Sequence, residues 1–204
     1  LKLPLESRPR LVMLYFDEPD HTGHDYGPEH QETGRVVANL DSLLGALRSK
    51  LSKLQQADRI NLIVTSDHGM ASISPDRYVN LLDHLKEGWI ERITGSNPLY
   101  LVDAVEGYKD SISALLKEVG GVLVWQEDEI PSHLHYGSSL RFPDLAVVAD
   151  TGWSIGMESD PSGYAGGTHG YDNAFDQMHT IFYAEGPSFR KGYVHPEFPN
   201  VDVY

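Results

Sequence analysis

The sequence predicts an α/β fold built on a parallel sheet, and three observations carry that prediction. Leu11–Phe16 is a short, unbroken apolar run between Pro9 and an acidic, Gly-containing segment, the pattern of a strand buried on both faces. A stretch of helical periodicity follows it, and Ile60–Thr65 is a second strand-like run. Residues 11–65 therefore read as a strand–helix–strand crossover, the unit from which parallel sheets are made.

Within that unit the helix is predicted over Thr33–Leu54. Val36, Val37, Leu40, Leu43, Leu44, Leu47, Leu51 and Leu54 recur at helical spacing, and Arg48, Lys50 and Lys53 suit the negative end of the helix dipole. Further along, 99–102, 122–125, 145–149 and 180–184 are candidate strands, and 112–119 is a short helix. Gly and Pro gather between about Gly152 and Gly170, which predicts an irregular, functional loop. With 204 residues and 40% hydrophobic content, the chain suffices for one compact unit, and it contains no internal repeat.

Composition narrows the function. Thirty acidic residues against 16 basic ones give a formal charge of −14, which opposes binding to a polyanion and argues against duplex nucleic acid as a partner. An acidic protein can still handle a phosphate ester if bound cations reverse the local field, so metal ligands become the features to look for. No run approaches the ~18–20 apolar residues of a membrane span. The absence of cysteine excludes disulfides and thiolate metal sites and leaves the compartment open. The start, Leu1-Lys2-Leu3-Pro4, has neither an initiator methionine nor a signal-peptide pattern, and the expectation is that a natural N-terminus has been lost.

Both runs of the crossover end in polar clusters: Asp17-Glu18-Pro19-Asp20-His21-Thr22-Gly23-His24 after the first, Ser66-Asp67-His68-Gly69 after the second. Parallel sheets bind ligands beyond the carboxyl ends of their strands, so the two clusters are expected to be close in space. Carboxylate oxygen and imidazole nitrogen both suit zinc, and Asp20 with His24, three residues intervening, can reach one ion. Asp67 and His68 can face one ion only if the chain turns at once, which Gly69 permits. In Gly166-Gly167-Thr168-His169-Gly170-Tyr171 the glycines let the backbone bend towards an occupied site, making His169 the natural distant ligand.

The segments 15–28, 65–70 and 167–171, in that order, resemble the nucleotide pyrophosphatase/phosphodiesterase family of the alkaline phosphatase superfamily, with similarity from about Arg10 to the C-terminus. The spacing between Asp20 and Asp67 looks typical of its bacterial members. The resemblance implies an alkaline-phosphatase-like three-layer sandwich with a mostly parallel central sheet, of which residues 1–204 are the C-terminal portion of a single catalytic domain. It implies two zinc ions per intact site, one on Asp20, His24 and His169, the other on Asp67 and His68. An aspartate and a nucleophilic threonine complete the second site in the family, and both lie upstream of this chain. No catalytic nucleophile is visible here.

The implied reaction is zinc-dependent hydrolysis of a nucleotide phosphodiester or pyrophosphate through a phospho-threonine, releasing a nucleoside 5'-monophosphate, with two ions about 3.5–4 Å apart stabilising attacking and leaving oxygens. Zinc is favoured on ligand type, although manganese or iron can occupy such N/O sites. The partners implied are a small nucleotide or phosphodiester substrate and the missing N-terminal segment of the same domain. The location implied is periplasmic or extracellular. Tyr15 is either a core aromatic or, by the resemblance, a residue that stacks on the nucleobase. The alternatives are another phosphohydrolase of the superfamily (phosphomonoesterase, phosphonate hydrolase or lipid-headgroup phosphodiesterase) or a non-catalytic metal-binding fragment.

Of the other histidines, His21 points away from the ligand face, His133 and His135 read as part of an exposed loop, and His30, His84, His179 and His195 read as ordinary. Asp172 and Asn173 either orient the His169 ring or form a simple turn.

Overall fold

The computed structural model describes residues 3–4, 7–137 and 139–203. In chain order its helices and strands are α1 (Asp20–Tyr26), α2 (Gln31–Leu51), β1 (Leu62–Thr65), β2 (Ala71–Ile73), β3 (Tyr78–Asn80), β4 (Ile90–Ser96), β5 (Leu99–Ala104), α3 (Lys109–Lys117), β6 (Val122–Trp125), β7 (Leu145–Ala149), β8 (Ser154–Gly156), β9 (Gly166–Thr168) and β10 (Phe182–Glu185). Short 3₁₀ turns join several of them.

The apolar core lies on a four-stranded sheet of order β4-β5-β7-β6, in which every neighbouring pair is antiparallel. Strand β7 is buried along its whole length, as its unbroken Leu-Ala-Val-Val-Ala sequence requires, whereas β5 alternates between buried and half-buried positions. Ile112 and Leu116, one helical turn apart on α3, are fully buried with Val102, Leu145 and Val147. Each such side chain contributes about 1.5–3 kcal/mol of transfer free energy.

Three small pairings surround this core. Strands β1 and β10 are antiparallel, as are β2 and β9, and β3 with β8 is the one parallel pair among the described residues. The fold is α/β with a mixed set of small sheets, and the expected crossover is not closed: β1 pairs with β10, not with residues 11–16. Residues 11–16 form no strand, and their side chains face solvent, Met13 at 85% and Tyr15 at 81% exposure. The reason is physical. An apolar run records that a segment suits burial, but a strand also needs a ladder partner, and no described residue supplies one.

Helix α2 is present close to its expected limits. It is capped by His30, whose Nδ1 accepts from Glu32 N at 3.2 Å. Of its side chains only Thr33 is buried, while Val37 and Leu43 are about half exposed. Arg48 fastens the helix to β10 through a two-pronged bond to the Glu185 carboxylate, both contacts 2.6 Å. The expected irregular loop at 152–170 contains β8 and β9, two three-residue strands rich in glycine or in small side chains.

Candidate metal centre

Strands β2 and β9 place the centre. Their antiparallel register sets Ala71 opposite Thr168 and Ser72 opposite Gly167, so the residues just before β2 and just after β9, among them His68 and His169, emerge at the same end of the ribbon. Helix α1 lies against β9, and glycine makes that approach possible. A Cβ on Gly166 would strike the His24 carbonyl, and one on Gly167 would lie 2.6 Å from the Gly23 carbonyl oxygen and 2.7 Å from Met70 Sδ. Gly69, expected to permit a sharp turn, serves close approach as well. Its Cα packs on the Gln177 carbonyl, and its N–H donates to Met178 O at 3.0 Å.

On this scaffold Asp20, His24, His68 and His169 converge. Asp20 Oδ1 is 3.5 Å from His24 Nε2 and 3.6 Å from His169 Nε2. The His68 and His169 rings stack at 3.6 Å between centroids, 14° from parallel, and Asp20, His68 and His169 each offer a ligand atom within 4.8 Å of the others. Asp67 is the outermost of the expected ligands: its side chain is 72% exposed, with Oδ1 3.7 Å from His68 Nε2. The closest trio thus takes Asp20 and His169 from one expected zinc set and His68 from the other. Tyr15, exposed, has no hydrogen bond or ring contact to the cluster among the described residues.

Two observations test whether these residues suit a cation, and both favour it. Asp20 Oδ1 is shielded from solvent and has no hydrogen-bond partner, a costly state for a carboxylate oxygen unless a cation meets it. Its distances to the two imidazoles exceed a hydrogen bond. They lie close to the about 3.3–3.4 Å that separates two ligand atoms on one tetrahedral ion with bonds of about 2.0–2.1 Å.

The second observation concerns tautomers. His24 Nδ1 lies 2.9 Å from Gly167 O and His68 Nδ1 lies 2.9 Å from Gly69 O. A carbonyl can only accept, so each Nδ1 carries a proton, and in the neutral imidazole Nε2 is then the nitrogen whose lone pair a metal can take. At His169, burial first and the neighbouring His68 next hold the imidazole pKa below its ordinary value, which favours the neutral, ligating form. The carboxylate and three imidazoles can therefore bind a divalent ion of the kind that accepts N/O donors.

The family model for type I phosphodiesterase/nucleotide pyrophosphatase matches residues 1–172. The chain belongs to that family. Human ectonucleotide pyrophosphatase/phosphodiesterase family member 5 is 35% identical over 195 residues, 95% of this chain and 40% of that protein. Human bis(5'-adenosyl)-triphosphatase ENPP4 is 37% identical over 199 residues, 95% of this chain and 42% of that protein. Among solved structures, murine ectonucleotide pyrophosphatase/phosphodiesterase 5 is similar with a TM-score of 0.78 and 37% identity, covering 87% of this chain and 48% of that one. An inactive variant of the same murine protein in complex with AMP has the same TM-score and identity, covering 87% and 47%. The chain spans about two-fifths of the length of these curated relatives. The likeness to the solved family members joins its fold to their alkaline-phosphatase-like α/β architecture.

Sequence reasoning missed residues that hold the candidate ligands in place. Glu18 accepts from Thr22 N at 3.1 Å and from Thr22 Oγ1 at 2.9 Å, fixing the start of α1 two residues before Asp20. The signal was legible: a carboxylate four residues ahead of a threonine at a helix start resembles a cap. Asp172 does not bond the His169 ring. Its Oδ1 accepts from His133 Nε2 at 2.7 Å and from Ala174 N at 2.9 Å.

Proposed function

We propose that this chain is the metal-binding C-terminal part of a single phosphodiesterase catalytic domain that hydrolyses nucleotide phosphodiester or pyrophosphate bonds and releases nucleoside 5'-monophosphates. The observation that carries the reading is the shielded, unpartnered Asp20 Oδ1, set between the lone-pair-bearing Nε2 of His24 and the Nε2 of His169. Asp20, His24 and His169 hold one zinc, and Asp67 and His68 contribute to a second. When bound, such ions act as Lewis acids on phosphoryl oxygens and lower the pKa of a coordinated hydroxyl or water. Gly167 O and Gly69 O keep the rings of His24 and His68 in the ligating tautomer, and Asp20 supplies the negative charge that binds a dication.

The nucleophile is a threonine outside this chain, and the murine relative, inactive as a threonine-to-alanine variant in its AMP complex, supports both a threonine requirement and a nucleotide ligand. The diadenosine substrate class named for ENPP4 supports a pyrophosphate-containing substrate. Tyr15 is assigned to the nucleobase, and its exposure leaves its ring free to stack. By the family resemblance the site faces the periplasm or the extracellular space.

The exposed apolar run 11–16 supports an upstream part of the domain that covers it. With 11–16 paired there, the central sheet of the whole domain becomes mostly parallel and takes the three-layer form. The same exposure favours one rival: alone, the chain is a non-catalytic metal-binding fragment. The deciding experiment measures zinc by mass spectrometry and hydrolysis of a chromogenic thymidine monophosphate ester, for this chain alone and for the longer protein. Two zinc with turnover only in the longer protein supports the proposal. Metal binding without nucleotide hydrolysis in both, or turnover on monoesters or lipid headgroups only, overturns it.

A further inference from the structure

We propose that His133 is a positioning residue for the ligand histidines, acting through Asp172; this rests on the metal-binding reading of the site. His133 lies in the connection between β6 and β7, residues 126–144, two antiparallel neighbours for which a hairpin of about two to five residues would suffice. The surplus chain makes a 3₁₀ turn at Ser132–Leu134 that presents His133 Nε2 to Asp172 Oδ1 at 2.7 Å. Since a carboxylate accepts, Nε2 carries the proton of this bond.

Asp172 is the junction between the two ends of the centre. It lies three residues after His169, and its side chain is only 11% exposed. The same Oδ1 accepts from Ala174 N, and its carbonyl accepts from Phe175 N at 3.2 Å, closing a turn over 172–175. That turn leads into Met178, whose carbonyl accepts from Gly69 N beside His68. One short segment thus runs from His169 to the backbone next to His68, and His133 is the side chain from a distant loop that pins its first turn. A carboxylate satisfied by a charged or strongly polar donor fixes such a turn more firmly than the Ala174 amide alone.

The test uses the longer, zinc-loaded protein and compares wild type with His133→Ala, His133→Gln and Arg92→Ala. Gln places an amide N–H near the position of Nε2. Arg92 pairs with Asp103 between β4 and β5 and serves as an exposed-pair control. Two quantities are read: the rate of zinc loss to a chelator, and hydrogen exchange of the peptide covering 169–178, with and without zinc.

His133→Ala is expected to speed zinc loss by about tenfold, the lower end for outer partners of metal ligands, and to raise exchange across 169–178 in both states, with Gln restoring most of each and Arg92→Ala changing neither. Unchanged zinc loss or unchanged exchange in the Ala variant overturns the proposal, as does a Gln variant no better than Ala. A wild-type protein that holds no zinc refutes the metal reading instead, and the exchange measured without zinc still decides whether His133 orders the segment.

Discussion

Replacing Gly167 by alanine tests whether glycine sets the geometry of the centre. The added Cβ would stand 2.6 Å from the Gly23 carbonyl oxygen, 2.7 Å from Met70 Sδ and 3.0 Å from Met70 Cγ. A carbon meets a carbonyl oxygen comfortably at about 3.3–3.6 Å, so α1 and β9 must separate by about 0.7 Å or more. Met70 can swing away, but the Gly23 oxygen is backbone and cannot. Helix α1 carries Asp20 and His24, and the Gly167 carbonyl fixes the His24 tautomer, so the shift falls on ligands that a metal requires to within about 0.2 Å. Overpacking of this kind costs about 1–3 kcal/mol, which should lower Tm. Zinc affinity should fall by about 10–100-fold, as for lost outer support of a ligand. The assay is competitive zinc titration with a parallel thermal melt on the longer protein. Gly34→Ala is the control: a Cβ there meets nothing within 4 Å, and on exposed α2 it should stabilise by about 0.5–1 kcal/mol. If Gly167→Ala binds zinc as tightly as wild type, the close approach of α1 to β9 does not set the site, and the argument fails.

Asp20→Asn in the longer protein removes the charge at the centre while nearly keeping its shape, and should lower bound zinc and abolish turnover while the fold persists; metal analysis beside circular dichroism checks this, and full zinc occupancy would contradict the assigned role. Glu18→Ala removes both bonds to Thr22 and should cost about 1 kcal/mol, read by denaturant melts, with a matching loss of zinc affinity because α1 begins there. The Glu158 carboxyl is held below its ordinary value of 4.5 chiefly by the Tyr164 hydroxyl, then by the Met157 amide, so its contribution to stability is present above about pH 4.5 and is lost as pH falls further; Glu158→Gln should flatten that acid limb in melts taken against pH.

The readable and unreadable parts of this sequence differ for a physical reason. The strands 122–125 and 145–149 were legible with their exact limits, because a buried strand in a complete sheet shows its burial in its own residues. Residues 11–16 carry the same pattern without a strand in the structure, since the pattern states what neighbours the run needs and the described residues do not include them. Helix α1 and strands β2, β8 and β9 span three to seven residues, too short for either period to register, and Gly23, Gly166 and Gly167 obscure what signal remains. The convergence of Asp20, His24, His68 and His169 was legible because the residue types that suit a metal are far fewer than those that suit packing. The bond from His133 to Asp172 was not, because no local rule relates residues that meet only through a long loop.

The exposed run 11–16 and the scaffold of the centre also bear on how the site is held. The ligand scaffold of α1, β2 and β9 is held by backbone-to-backbone approach at glycines, by the Glu18–Thr22 bonds and by carbonyls that set histidine tautomers. None of these contacts draws on the exposed run 11–16. That run ends only a few residues before Asp20. Covering that run would therefore restrain the entrance to α1 without having to create the arrangement of Asp20, His24, His68 and His169. The contacts that bring Asp20, His24, His68 and His169 together are thus all made within this chain and do not depend on the exposed run 11–16.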